Sequence, residues 1–250
     1  MMRTTMYRWL GAGVLTASAA VSAWAADHAG DVAVSAREGQ LKLGGQRVEI
    51  HASTGFNIYR ADLGDLFHGP WATSNPGFQT QGSERLKPGV EIGFEGLGAL
   101  SFWDGARWSL APSGTQLKVS DYLEVDSIWS SAGFTPGSSQ LLGETRASGK
   151  LHEHLVFSVT EGAALGAYQI TLRLNSTDYL SSDPFYMVLN RGLDEASFQR
   201  AREAFMQTSP VPEPTSAVVL ALGLVALWLA SWRRQTGRRA APPIRGLVVH

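Results

Sequence analysis

The spacing His152-Glu153-His154 is the feature of this sequence that most clearly suggests chemistry. On a β-strand, residues i and i+2 project to the same face, so two imidazole rings can converge on one ion while Glu153 points away. Zinc is bound by neutral imidazole nitrogens at about 2.0 to 2.1 Å and normally takes three or four ligands in a tetrahedral array. The histidine pair therefore predicts a zinc site only if other side chains complete it.

Candidates for the remaining ligands are His28 and Asp31 near the start of the predicted mature chain, His51 at the end of a predicted strand, and His68 in a long loop. The chain has six histidines and no cysteine, so a site built from imidazole and carboxylate is the form available to it. The alternative interpretation places His152 and His154 on the solvent-facing side of a strand, with no ion.

Four tryptophans lie in or beside predicted loops and suggest a second kind of site: Trp71, Trp103, Trp108 and Trp129. Exposed aromatic faces are common platforms for rings, so these side chains are candidates for binding a carbohydrate or exopolysaccharide. Tryptophans of a β-sandwich belong to its core more often than to a platform. A purely structural surface protein is the remaining interpretation.

Motifs of enzyme catalysis are absent from the sequence. It contains no Gly-x-Ser-x-Gly, no His-Glu-x-x-His and no Gly-rich phosphate loop. Glu91 and Glu95 could pair on one side of a strand, but a solvated face is the better explanation, and Asp62 and Asp65 near His68 fit no known loop motif. We therefore expect a non-enzymatic protein.

The elements that must position these side chains are predicted to be β-strands in residues 26–193. Apolar and polar residues alternate in short runs separated by Gly-rich turns, which is typical of an all-β fold. We expect one antiparallel β-sandwich, jelly-roll or immunoglobulin-like, whose first three strands form a meander with turns at Glu38-Gly39 and Gly44-Gly45. An irregular stretch, Ala61 to Pro88, interrupts the strands and is long enough to be functional or disordered.

Residues 194–210 predict a helix followed by a linker. Asp194 can cap the run EASFQRAREAFMQ. At helical spacing the apolar side chains lie near one face and the charged ones stay in solvent: Phe198, Ala201 and Phe205 against Arg200, Arg202 and Glu203.

The charge distribution excludes nucleic acid as an expected partner. The formal net charge is -1, but residues 26–210 hold 21 Asp and Glu against 14 Lys and Arg, so that stretch carries 14 - 21 = -7. Binding to phosphate backbones requires a basic surface.

Both ends of the chain predict export. Residues 1–25 combine Arg3 and Arg8, an apolar stretch and a small-residue cleavage site, which is typical of a signal peptide. Residues 211–234 include 18 uncharged residues from Thr215 to Trp232, about 27 Å as a helix, followed by Arg233 and Arg234. We expect a single transmembrane span with the bulk of the chain outside and the basic tail, residues 235–250, inside.

The segment Val211-Pro212-Glu213-Pro214, followed by an apolar span and Arg233-Arg234, resembles the PEP-CTERM sorting signal of Gram-negative bacteria. The resemblance implies recognition by an exosortase at Pro212, Glu213 and Pro214. It also implies removal of the span and transfer of the ectodomain to the cell surface or exopolysaccharide matrix.

Residues 152 to 190 resemble the His-x-His strand, turn and Tyr-containing strand of the surface-anchored proteins called choice-of-anchor M, and a related branch of PEP-CTERM proteins under zinc-repressor control. The N-terminal His-containing strand of those families is echoed by DHAGDVAVSAREGQLKL, which starts just before His28. The resemblance implies that the protein binds or responds to zinc.

Overall fold

The structure is a computed structural model that describes residues 30–208. Among these residues no helix is long and apolar enough to cross a membrane. The predicted signal peptide, His28, and the sorting signal at 211–234 with its predicted span and basic tail all lie outside the described residues.

Most of the regular structure in the described part of the chain is β-sheet, with a single helix near its end. The elements are β1 (Val32–Arg37), β2 (Gln40–Gly44), β3 (Glu49–Ile50), β4 (Asn57–Asp62), β5 (Ala72–Thr73), β6 (Phe78–Gln79), β7 (Glu91–Trp103), β8 (Trp108–Leu110), β9 (Gln116–Ser120), β10 (Asp126–Ser130), β11 (Gly133–Thr135), β12 (Leu141–Glu144), β13 (His152–Glu153), β14 (Val156–Val159), β15 (Gly166–Asn175), β16 (Phe185–Arg191) and α1 (Glu195–Gln207).

These strands form three sheets, ordered β13-β6-β1-β2, β11-β10-β9-β14-β5 and β12-β7-β15-β16-β4-β3, with β8 paired to β7. The prediction of an all-β, sandwich-like fold with one C-terminal helix is confirmed. The prediction of purely antiparallel pairing is wrong at two places, because β1 runs parallel to β6 and β4 runs parallel to β16. The two strands of each pair are far apart in sequence and are not joined by a hairpin turn, so they can pair in parallel.

Apolar faces of all three sheets share one core. Alternate residues point into it along β1 and β9, as a half-buried strand requires. Its fully buried large side chains include Phe78, Phe94, Trp129, Phe157, Tyr168 and Phe185.

The predicted meander is correct for its first two strands and wrong for the third. β1 and β2 form an antiparallel hairpin through Glu38 (φ 52°) and Gly39 (φ 79°), and positive φ at both central residues is typical of the tight turn that suits paired strands. β3 instead pairs with β4 in another sheet, through Glu49 and Ile50. The chain therefore leaves the first sheet after Gly44.

The segment 152–160, which begins with His152-Glu153-His154, is divided between two sheets. β13 pairs with β6, while β14 pairs with β9 and β5. The chain crosses from one sheet to the other at His154 and Leu155. The stretch Ala61 to Pro88 contains β5 and β6, so it contributes a short strand to each of the two sheets that meet here.

The predicted helix forms α1, with Asp194 as its N-cap. The Asp194 carboxylate accepts a hydrogen bond from the Ser197 amide at 2.7 Å. Phe198, Ala201 and Phe205 are buried as predicted. The prediction that Arg202 stays in solvent is wrong, because its guanidinium is buried in an ion pair with Glu49 of β3.

Candidate metal centre

Three predicted ligands come together where the chain crosses between sheets. Asp31 just before β1, His152 of β13 and His154 each offer a ligand atom, and the three atoms lie within 4.8 Å of one another. The Nε2 atoms of His152 and His154 are 3.2 Å apart, and Nε2 of His152 is 3.9 Å from Oδ2 of Asp31. These residues therefore form a group that could hold a metal ion.

The separation of the two imidazoles matches that of ligands sharing one zinc ion. Two atoms at 2.0 to 2.1 Å from a tetrahedral centre lie about 3.3 to 3.4 Å apart. The observed 3.2 Å between the imidazole nitrogens agrees with this value, while the 3.9 Å to the carboxylate requires a side-chain movement of only ~0.5 Å. Such an adjustment would give the carboxylate oxygen and the His152 nitrogen the spacing of two ligands that share one ion.

The ring of His154 is held by the loop between β5 and β6. Its Nδ1 lies 2.8 Å from the Ser74 carbonyl oxygen, and because a carbonyl can only accept, Nδ1–H must donate. In the neutral ring the lone pair then sits on Nε2, which faces His152. Gly77 allows this close packing, because a Cβ at that position would lie 2.6 Å from Cε1 of the His154 ring.

The Asp31 carboxylate is buried and is oriented by Gly77 of the same loop and by Gln79 of β6. Oδ1 accepts a hydrogen bond from the Gly77 amide at 2.9 Å, and Oδ2 accepts one from Nε2 of Gln79 at 3.0 Å. Outer partners of this kind fix the orientation of metal ligands in proteins. Side-chain exposure is 4% for Asp31 and 19% for His152, so the group is shielded but reachable at one edge.

Glu153 points away from the two histidines, as the strand geometry predicts. Its side chain packs over Gly143 of β12, so closely that a Cβ on that glycine would meet its Cγ. Burial raises the pKa of the Glu153 carboxyl, and the nearby charges of Arg146 and His154 oppose that shift. Glu153 therefore lies beside the site without facing the ligands.

His51 and His68 are not part of the group. His51 is 1% exposed and packs against the rings of Tyr186 and Phe205, where hydroxyls of Ser53 and Thr54 lie 3.2 Å from Nδ1. The prediction that His51 joins the ligands fails because β3 carries it to the sheet under α1.

His68 lies in a turn between β4 and β5, where its Nδ1 is 3.0 Å from both carboxylate oxygens of Asp65. It is therefore engaged locally. His28, the other candidate ligand, lies outside the described residues.

The tryptophans are largely covered. Trp103 and Trp129 are buried, which corrects the expectation that they offer exposed rings. Trp108 is half-buried against Phe205 and donates its indole N–H to the Ala201 carbonyl. Trp71 is half-buried, and the Arg191 guanidinium lies 3.8 Å from its ring centroid. A ring-stacking platform therefore does not form from these four residues in this conformation.

Three residues of the site were missed by sequence reasoning: Ser74, Gly77 and Gln79. Nothing in their residue types indicates a metal site, since a backbone carbonyl, a backbone amide and an amide side chain provide the contacts. The one available signal was Asn75-Pro76-Gly77, a turn-forming sequence in which a glycine can permit close approach of a side chain.

Comparisons of the chain with models of protein families, with curated proteins and with solved structures found no match.

Proposed function

We propose that this protein is an exported, non-enzymatic metal-binding protein whose ion, zinc, is held by Asp31, His152 and His154. The observation that carries the proposal is the convergence of the three ligand atoms, with the imidazole Nε2 atoms 3.2 Å apart. Two histidines separated by one residue would not indicate a metal site without a third ligand. A buried carboxylate from a distant part of the chain supplies that third ligand.

The choice of zinc follows from the ligand types. Imidazole nitrogen suits zinc, copper, iron and nickel, whereas calcium and magnesium prefer sites built from oxygen alone. Two histidines and one carboxylate also suit Fe(II), so ferrous iron is the competitor that the experiment must include. Sites of nitrogen and oxygen ligands generally bind zinc more tightly than Fe(II), which favours zinc.

The cellular localisation of the protein is the second part of the proposal. The predicted signal peptide and the PEP-CTERM-like segment at Pro212, Glu213, Pro214, Arg233 and Arg234 support export and presentation at the surface or in the matrix of a Gram-negative bacterium. An exosortase and a matrix polysaccharide are the partners that such an address implies. Sandwiches of the jelly-roll and immunoglobulin-like classes, to which we assign this fold, are common in surface proteins.

Isothermal titration calorimetry on the purified, chelator-treated full chain tests the metal proposal. We expect one zinc per chain for the wild type and none for the variant carrying His152→Ala and His154→Ala. Calcium and magnesium should give no heat, and Fe(II) under anaerobic conditions should bind more weakly than zinc.

Glu153→Gln is the matched control, because it changes the residue between the two histidines without removing a ligand. It should retain zinc binding, since the Glu153 side chain packs over Gly143 and is not a ligand. Equal zinc binding by the wild type and the double variant would refute the proposed site.

A further inference from the structure

The loop between β4 and β5 presents the most exposed apolar side chains among residues 30–208. Leu66 is 100% exposed and Phe67 is 91% exposed, although both lie in a turn with defined hydrogen bonds. Large apolar side chains are seldom left fully in water on an ordered loop, so the order of this turn needs a physical cause.

Asp65 organises the turn. Its Oδ1 accepts hydrogen bonds from the amides of Phe67 at 2.9 Å and His68 at 2.7 Å. Its Oδ2 accepts one from the Ser74 amide at 3.0 Å, which ties the turn to the chain beyond β5. Partial burial raises the pKa of the Asp65 carboxyl, but the hydrogen bonds from Ser74, His68 and Phe67 outweigh it and hold that pKa well below its ordinary value.

Ser74 joins this turn to the candidate metal centre. Its amide donates to Asp65, while its carbonyl accepts from Nδ1–H of His154. A continuous path of two hydrogen bonds through one residue therefore links the His154 ring to the turn that carries Leu66 and Phe67.

Metal binding acts on this path through the His154 ring. An ion on Nε2 requires the proton to be on Nδ1, and that proton is the one donated to Ser74. Without an ion, the hydrogen bond to Ser74 and the contact with His152 are what hold the ring in this position. A bound ion would add a restraint on the ring that keeps Nδ1–H directed at the Ser74 carbonyl.

We propose that occupancy of the Asp31–His152–His154 centre controls the order of the Asp65 turn, and hence the presentation of Leu66 and Phe67. This inference rests on the proposed metal binding. The metal-free protein samples conformations in which Ser74 is released from His154, and the turn loosens with it. The metal-bound protein holds the two apolar side chains in one position.

Hydrogen exchange of the full chain, with and without saturating zinc, tests the inference at single amides. Zinc should slow exchange of the Phe67, His68 and Ser74 amides at least about threefold, because it raises the free energy of local opening. Calorimetry on the same samples establishes whether zinc is bound. Bound zinc with unchanged exchange at these amides would overturn the inference and leave the proposed function standing, whereas no bound zinc would refute the proposed function itself.

Asp65→Ala breaks the path without touching a ligand. In this variant zinc should still bind, but the zinc-dependent protection of Phe67 and His68 should be lost. Asp104→Ala is the matched control, because Asp104 organises a comparable turn by accepting from the Ala106 and Arg107 amides away from the histidines.

Asp104→Ala should keep the full zinc effect at the Asp65 turn, and loss of that effect in both variants would contradict the path. If Asp65→Ala does not fold, Asp65→Asn is the alternative variant, because it keeps one side-chain oxygen and loses one of the two carboxylate acceptors. It should reduce the zinc-dependent slowing of amide exchange at the turn by about half or more. An undiminished effect in Asp65→Asn would also count against the path.

Discussion

Two regions of this protein hold histidine rings inside the fold. In one region the ring nitrogens face other potential ligands, and in the other region the ring packs against aromatic side chains. At the crossing between sheets, the Nε2 atoms of His152 and His154 face each other and a carboxylate. Under α1, His51 is enclosed by the rings of Tyr186 and Phe205. The first region therefore brings potential ligand atoms together, whereas the second region packs its imidazole among other side chains.

The difference lies in what the surrounding chain supplies. The loop from β5 to β6 orients Asp31 and His154 with backbone groups and leaves their ligand atoms directed at one point. Around His51 the neighbouring hydroxyls of Ser53 and Thr54 already satisfy Nδ1. A buried histidine is thus a candidate ligand only where its partners hold the ring by the nitrogen that does not face the ion.

Removing the charge of Asp31 should have the largest effect on zinc binding. Asp31→Asn keeps an oxygen for the Gly77 amide, and the Gln79 amide can rotate to match the new side chain. Loss of an anionic ligand should weaken zinc binding by about 100-fold or more, or about 2.7 kcal/mol. Calorimetry measures the loss, and an affinity within about threefold of the wild type would exclude Asp31 as a ligand.

Filling the space beside His154 should have the next largest effect. In Gly77→Ala the new Cβ would meet Nε2 and Cε1 of the ring at 2.7 and 2.6 Å, so the ring must move from its present position. We expect zinc affinity to fall by about 10- to 100-fold. Gly44→Ala is the control, since its Cβ would meet no atom within 4 Å, and equal affinities for the two variants would contradict the role of Gly77.

Changing His51 should affect stability and leave zinc binding intact. His51→Phe retains a ring against Tyr186 and Phe205 but loses the hydrogen bonds of the imidazole. The metal-free protein should lose about 1 kcal/mol of unfolding free energy in a urea titration. A large drop in zinc affinity would instead bring His51 into the site.

The smallest effect concerns pH, again through His51. Burial lowers the pKa of His51, and a hydrogen bond to the Phe205 backbone opposes that shift only in part. Below about pH 6.5 the unfolded chain therefore binds a proton at His51 before the folded protein does, so folding stability falls as the pH drops towards the lowered pKa. Urea titrations of metal-free protein should show a shallower acid loss for His51→Phe, and identical pH profiles would contradict burial of a neutral ring.

The local features of this fold were predictable from sequence. The turn at Glu38-Gly39 and the cap at Asp194 depend on neighbouring residues, so their patterns identify them directly. The proximity of His152 and His154 was also expected from their spacing, although β13 ends at Glu153 and His154 lies just beyond it. Asp31 was a candidate for the same reason that other acidic residues and histidines were, namely its residue type alone.

Tertiary features were not predictable in the same way. The transfer of β3 to another sheet buries Arg202 against Glu49 and takes His51 away from the other histidines. The tryptophans were ambiguous because their residue type suits both a core and a platform, and packing decides between them. The contacts of Ser74 and Gly77 are made by the backbone, which leaves little trace in a sequence.

Anomalous diffraction from zinc-soaked crystals, recorded on both sides of the zinc absorption edge, tests the central claim most directly. The account predicts one strong zinc peak about 2.0 to 2.2 Å from Nε2 of His152, Nε2 of His154 and a carboxylate oxygen of Asp31. A strong peak elsewhere on the chain, with none at this position, would contradict it.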